Sequence, residues 1–318
     1  MMTQPSRPSH RSCEITRRQL LAAGAGLMAL QPLTRLAHGL ADPKTWTMKL
    51  STSSLHYRSL PLLESLRRIS ALGYEGVDVW AHFEWAGPLC EHLEEAVERS
   101  TPEKFMETLR ELKLTLNSAS CYTVPFARFA PLLGACGGCV VIRGSQGADE
   151  NITGADLVRE MKQFLESLKP DLELAEKHQC VLAVENHSGG SLLNKLESFK
   201  VFTDLNQNPR LGIALAPFHI QANKESVVDA IRQAAGQLKF FYAWQYANLD
   251  DDKVDKRLQL PGIGPTDMRP WLRALAAIDY AGFVNPFMHF EPEPAEMDVA
   301  LKKSRQYMLS AANDIRQT

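Results

Sequence analysis

Val181-Leu182-Ala183-Val184-Glu185-Asn186-His187 is the stretch on which the reading of this 318-residue chain turns. Four apolar residues in unbroken order describe a strand buried on both faces, not one with a wet side. The run then stops on a carboxylate, an amide and an imidazole. A charge at the end of an apolar strand is costly unless something pairs with it. Glu185 is therefore read as a residue kept for chemistry.

Working outward, runs of the same kind recur on both sides. Met48–Ser54, Gly76–Trp80, Leu114–Ser120 and Cys139–Arg143 precede the Val181–Glu185 strand, and Leu211–Leu215, Phe240–Gln245 and Gly282–Phe287 follow it. Helical periodicity fills the intervals. Leu60–Leu72 sets Leu62, Leu63, Leu66 and Ile69 on one stripe; Asp156–His178, Glu225–Ala235 and Met297–Ile315 repeat the pattern. Short strands alternating with longer helices form a parallel sheet covered by helices. Eight units of about 30–35 residues are the size of a closed (β/α)8 barrel, an α/β fold of about 250 residues. No Gly-rich phosphate fingerprint follows the first strand, which argues against a doubly wound dinucleotide-binding sheet.

The N-terminus is set aside from the fold. Thr16-Arg17-Arg18-Gln19-Leu20-Leu21 holds a twin-arginine pair, followed by an Ala- and Gly-rich apolar run over Leu20–Leu30. That run is shorter than the roughly 20 residues a bilayer span needs, and small residues at Gly39-Leu40-Ala41 offer a cleavage site. The expected division is a twin-arginine signal peptide over 1–41 and a barrel domain over 42–318, exported to the periplasm or beyond. Residues 1–41 hold five basic and one acidic residue, so the full chain's 35 Lys+Arg and 37 Asp+Glu become 30 and 36, a net charge of −6. An acidic domain lacks the basic footprint that nucleic-acid binding requires. No later segment is apolar enough for a membrane span, and the oligomeric state stays open. Five cysteines remain after Cys13 leaves with the signal, an odd number that does not read as a disulfide framework. Cys136-Gly-Gly-Cys139 has redox spacing but no second pair, so packing is the favoured reading and a redox role the other.

Barrel chemistry sits where strands end at their C-terminal face. After Glu185-Asn186-His187, the sixth run continues into Ala216-Pro217-Phe218-His219. The seventh ends Trp244-Gln245-Tyr246, and the eighth is followed by His289 and Glu291. Aromatic residues near the expected mouth (His56, Tyr57, Trp80, Phe83, Trp85, Tyr122, Trp244, Tyr246) suit a wall on which a sugar stacks, although at least half of them are expected to be packing.

Here the chain resembles a known group, the sugar isomerases and epimerases with a xylose isomerase-like barrel. The resemblance rests on Gly73-Tyr74-x-Gly76-Val77-Asp78, Glu185-Asn186-His187, Pro217-x-His219, the Pro261-Gly262-x-Gly264 loop leading to Trp271, and Tyr280-x-Gly282. It implies a divalent metal (Mn, Mg, Co or Zn) held by Glu, Asp, His or Asp, and Glu after strands five to eight. Carried over residue by residue, those positions are Glu185, Ala216, Gln245 and Phe287. Oxygen-seeking ions prefer carboxylates, so either the metal is lost, or Glu185, Gln245, His289 and Glu291 hold it, or a different site uses Glu185, His219, His289 and Glu291. The implied reaction is isomerisation or epimerisation of a carbohydrate or keto-sugar by proton abstraction next to a carbonyl. Glu185 is the expected base or metal ligand and His219 its acid/base or oxygen-binding partner. His187, Trp244, Gln245, Tyr246 and His289 are the expected substrate contacts. An enzyme is the favoured reading, and a catalytically silent barrel that binds a saccharide is the alternative. A DNA-repair endonuclease on this barrel needs metal-binding His, Asp and Glu on nearly every strand, and an acidic chain expected to be exported argues against it.

Overall fold

Eight parallel strands close into a ring in strict chain order in the computed structural model, which describes residues 45–317. They are β1 (Lys49–Ser53), β2 (Gly76–Trp80), β3 (Thr115–Ser120), β4 (Val140–Gly144), β5 (Val181–Glu185), β6 (Leu211–Leu215), β7 (Leu238–Ala243) and β8 (Phe283–Pro286). β1 pairs with β8 to complete the barrel. The expected α/β class and (β/α)8 architecture are therefore correct. The twin-arginine segment lies outside the described residues. Among the described residues, no helix is long and apolar enough to cross a membrane.

Strand alternation sorts the side chains into two cores. Ile142, Ala183, Ala214, Phe240, Tyr242 and Phe287 belong to a cluster on the barrel axis. Leu182, Val184, Ile213 and Phe241 belong to the larger cluster between barrel and helices. Because side chains alternate along a strand, Glu185 shares the inward parity of Ala183, and Trp244 that of Tyr242. Gln245 does not share it.

The helices and strands depart from the sequence pattern in three places. In the first helix (Leu62–Ala71), Leu62, Leu66 and Ile69 are buried at i, i+4 and i+7, whereas Leu63 is 42% exposed. The segment expected as one helix over Asp156–His178 is two, Gly154–Ser167 and Lys169–Lys177. Pro170 cannot donate to a carbonyl one turn back, and its ring obstructs that turn. β7 begins and ends two residues earlier than its apolar run, because the backbone N–H of Gln245 turns away to donate to the Gln259 carbonyl at 3.0 Å.

One irregularity in the sheet matters for the site. The pairing of β2 with β3 skips Asn117, so Val77 faces Leu116 while Asp78 faces Ser118 and Trp80 faces Ser120. The bulge sets two hydroxyls beside the one carboxylate of β2.

Candidate active site

A cavity of about 440 Å³ opens at the C-terminal end of the barrel, lined by Trp80, Phe83, Trp85, Tyr122, Glu185, His187, His219, Trp244, Phe287 and His289. Five strand-end residues singled out from sequence (Glu185, His187, His219, Trp244, His289) thus meet in one space. Glu185 is the one carboxylate in this lining.

Burial pushes the Glu185 carboxyl up to about 8; Tyr122 hydrogen-bonds it and pulls the value down, and the charge of Asp78 pushes it up. Neither of these neighbours is a cation. From Tyr122 a line of hydroxyls runs into the barrel: Tyr122 OH to Tyr242 OH at 3.2 Å, Tyr242 OH to Ser120 Oγ at 3.5 Å, and Ser120 Oγ to Asp78 at 3.0 and 3.1 Å. Asp78 also accepts from Ser53 Oγ, Ser118 Oγ and Trp80 Nε1. Four donors keep this fully buried carboxyl low enough to sit at about 6 despite its burial. Each hydroxyl carries a single hydrogen, so the line has two unbroken polarities. With Asp78 ionised, Ser120 donates to it, Tyr242 to Ser120 and Tyr122 to Tyr242, and only a protonated Glu185 completes the line. Reversed, Tyr122 donates to a Glu185 carboxylate and the proton rests on Asp78. The lower value of Asp78 favours the first arrangement near neutrality.

His219 and His289 are held neutral. Burial drives His219 well below its ordinary value, with His187 and His289 adding to the effect, and burial drives His289 down to about 3. His219 Nδ1 meets Ser188 Oγ at 3.1 Å, and the His187 and His219 rings lie 3.9 Å apart. His289 Nδ1 is buried and has no hydrogen-bond partner among the described residues. A carboxyl moved up and imidazoles moved down, in one cleft, is the separation that acid–base sites use.

The walls are fixed by residues the sequence reading did not select. Gln259, fully buried, accepts from Trp244 Nε1 at 2.8 Å and from the His289 N–H at 3.1 Å, and donates to the His289 carbonyl at 3.1 Å. Replacing Gln259 by Ala strands those groups, and each buried orphan costs about 1–3 kcal/mol. A fall of about 3 kcal/mol in chemical denaturation is expected; a change under about 1 kcal/mol would contradict this role. Asn186 bonds both backbone groups of Ala216, accepting at 2.7 Å and donating at 3.1 Å, and so ties the end of β5 to the end of β6. His56 accepts from the Met288 N–H at 3.1 Å and meets Thr52 Oγ1 at 3.0 Å, fixing the β8 exit from behind. No pattern in one sequence marks Gln259, which lies in a polar loop.

Three expected site residues lie outside the lining. The Gln245 amide donates to the Leu260 carbonyl at 2.9 Å and accepts from the Thr266 N–H at 2.7 Å, so it staples the loop after β7. Tyr246 is 44% exposed and packs on Phe218. Glu291 accepts from the backbone and hydroxyl of Ser59.

A divalent metal does not fit these residues. Ala216 offers no side-chain donor, and both ends of the Gln245 amide are committed. Phe287, 1% exposed, fills the β8 position and stacks on Trp80 at 5.7 Å. Among the described residues, no cluster of three or more His, Cys, Asp or Glu could hold a metal ion.

The sequence profile described as xylose isomerase-like TIM barrel matches residues 66–307. The chain belongs to that family. Solved structures of similar fold include the IolI protein with a bound zinc atom (14% identity, TM-score 0.66, covering 84% of this chain and 99% of that one). D-psicose 3-epimerase in the presence of D-fructose is similar at 14% identity and TM-score 0.64, over 83% of this chain and 99% of that one. The 3-keto-D-glucoside 4-epimerase from E. coli is similar at 17% identity and TM-score 0.61, over 82% and 100%. Identities this low show the shared fold. Sequence comparison with curated proteins returns no match.

The raised carboxyl has a measurable consequence. A carboxyl whose folded value lies above its unfolded one contributes stability below the unfolded value and loses it as pH rises through the folded value. For Glu185 that loss spans the interval from the ordinary 4.5 to about 8. Glu185→Gln is therefore expected to gain Tm relative to the parent between about pH 5 and about pH 9. An equal difference at both pH values would show that the carboxyl titrates normally.

Proposed function

We propose that this protein acts on a small carbohydrate or keto-sugar at the barrel mouth, moving a proton next to a carbonyl with Glu185 as base and without a divalent metal. The observation that carries the reading is that Glu185, the one carboxyl in the cavity lining, shares that cavity with His219 and His289, burial pushing the carboxyl up and these two imidazoles down. A base is most effective when its value lies near the working pH. In the reaction, the C–H bond next to the carbonyl breaks, its proton passes to the Glu185 carboxylate, and the electron pair moves onto the carbonyl oxygen. A neutral imidazole N–H from His219 or His289 can donate to that oxygen as it becomes negative, a role suited to a ring that does not titrate. Trp80, Trp85 and Trp244 supply apolar faces for the sugar ring, and the orphaned His289 Nδ1 awaits a polar partner. The twin-arginine motif supports export of the folded protein.

The test is proton exchange in deuterated water, followed by NMR on a panel of ketoses and 3-keto-sugars with chelator present. Loss of the signal next to the carbonyl supports the reading, and its persistence for every sugar opposes it. A second reading, a saccharide-binding barrel without turnover, is favoured by Ala216 and Phe287 at carboxylate positions. Saccharide binding by calorimetry without exchange would decide for it.

A further inference from the structure

The turn Cys136-Gly137-Gly138-Cys139 is left unused by the site, and its cysteines are free. Val140 pairs with Val181, so Cys139 and Cys180 stand side by side at the entrance of β4 and β5, and the Val181 N–H donates to the Cys139 carbonyl at 3.0 Å. Both residues pack in the layer between the barrel and the helices. The two thiols act on each other electrostatically, Cys180 raising Cys139 and Cys139 lowering Cys180, and the Cys180 thiol reaches the His178 carbonyl at 3.5 Å. The approach is built by Gly138: its φ of +79° suits glycine, and a Cβ there would fall 2.1 Å from the Gln179 carbonyl oxygen. With any other residue the turn could not lie against Gln179–Cys180.

We propose that Cys139 and Cys180, not the Cys136/Cys139 pair that the sequence spacing suggests, form a reversible disulfide across β4 and β5. The oxidant is a small or protein disulfide reached by thiol–disulfide exchange. The Cys180 thiolate takes the proton of the partly exposed Cys139 as the Cys139 sulfur attacks, forming a mixed disulfide and releasing one thiolate. Cys180, a thiolate again once that proton has passed to the released sulfur, then attacks the Cys139 sulfur and expels the second. Two electrons pass to the oxidant, and the two thiol protons end on its two released thiols. Cys180 suits the closing step: it stands beside the Cys139 sulfur it must attack, and the nearby Arg210 favours its thiolate. Arg210 also donates to the Cys180 carbonyl at 3.2 Å, which fixes the guanidinium there.

The experiment incubates the full chain with oxidised glutathione, then quantifies thiols after denaturation and maps tryptic peptides without reduction. Cys139 and Cys180 lie in different tryptic peptides, whereas Cys136 shares the peptide of Cys139, so Cys136→Ser is run in parallel. The expected result is loss of two thiols, a mass lower by two hydrogens, and a crosslink that persists in Cys136→Ser. It should vanish in Cys139→Ser and in Cys180→Ser and reverse with dithiothreitol. Undiminished thiols, a stable glutathione adduct without closure, or a crosslink that needs Cys136 would each overturn the proposal.

Discussion

Glu185→Gln is expected to lower proton exchange by about 10²–10⁴-fold, the usual contribution of a positioned acid–base group, while the protein stays folded. The amide keeps the shape of the carboxyl and can still hydrogen-bond Tyr122, so the wall of the cavity is preserved. It cannot accept a proton from carbon. The loss should fall on kcat more than on KM, since the aromatic faces that hold the sugar are untouched. Circular dichroism and Tm at neutral pH exclude unfolding as the cause. Retained exchange in this variant would remove Glu185 from the chemistry.

Phe287→Ala is expected to be the most destabilising single change at the site, by about 3–5 kcal/mol. Phe287 is fully buried and touches five rings at once: His56, Trp80, Tyr242, Trp244 and His289, at centroid distances from 4.9 to 5.7 Å. Removing it opens a void on the barrel axis that the surrounding strands cannot collapse into. A drop in Tm of about 10 °C is the corresponding thermal effect. The same void lets Trp80 and His289 relax, so ligand affinity should fall with stability. A change below about 1 kcal/mol would mean that the ring is dispensable and the β8 position open to other groups.

The barrel was legible because its signal is redundant. β2, β5 and β6 have the bounds their apolar runs predict, and eight such runs admit few other topologies. The errors came where a local rule met a tertiary one. Trp244-Gln245 reads as strand by composition, yet the Gln259 carbonyl draws that backbone out of the sheet. Pro170 hides inside a long helical period.

The site was half legible. Glu185, His219 and His289 stood at strand ends, where barrel chemistry is expected, and they line the cavity. Gln245 failed on parity, since Trp244 holds the inward place next to it. Asp78 was noted only as part of a motif, although Thr115-Leu-Asn-Ser118-Ala-Ser120 beside it carried a signal. Serines at i and i+2 on the strand next to a buried carboxylate point to hydroxyls that satisfy it. What no sequence pattern could give was the line from Asp78 to Glu185, because its middle member, Tyr242, comes from β7.

The most direct measurement is the pH dependence of hydrogen–deuterium exchange into a keto-sugar with chelator present, for the parent protein and the Glu185→Gln variant. A metal-independent Glu185 base requires a rate that rises with pH, levels near a pH of about 8 and is absent from the variant. Exchange that needs added divalent ion, or that proceeds equally in both proteins, would contradict it.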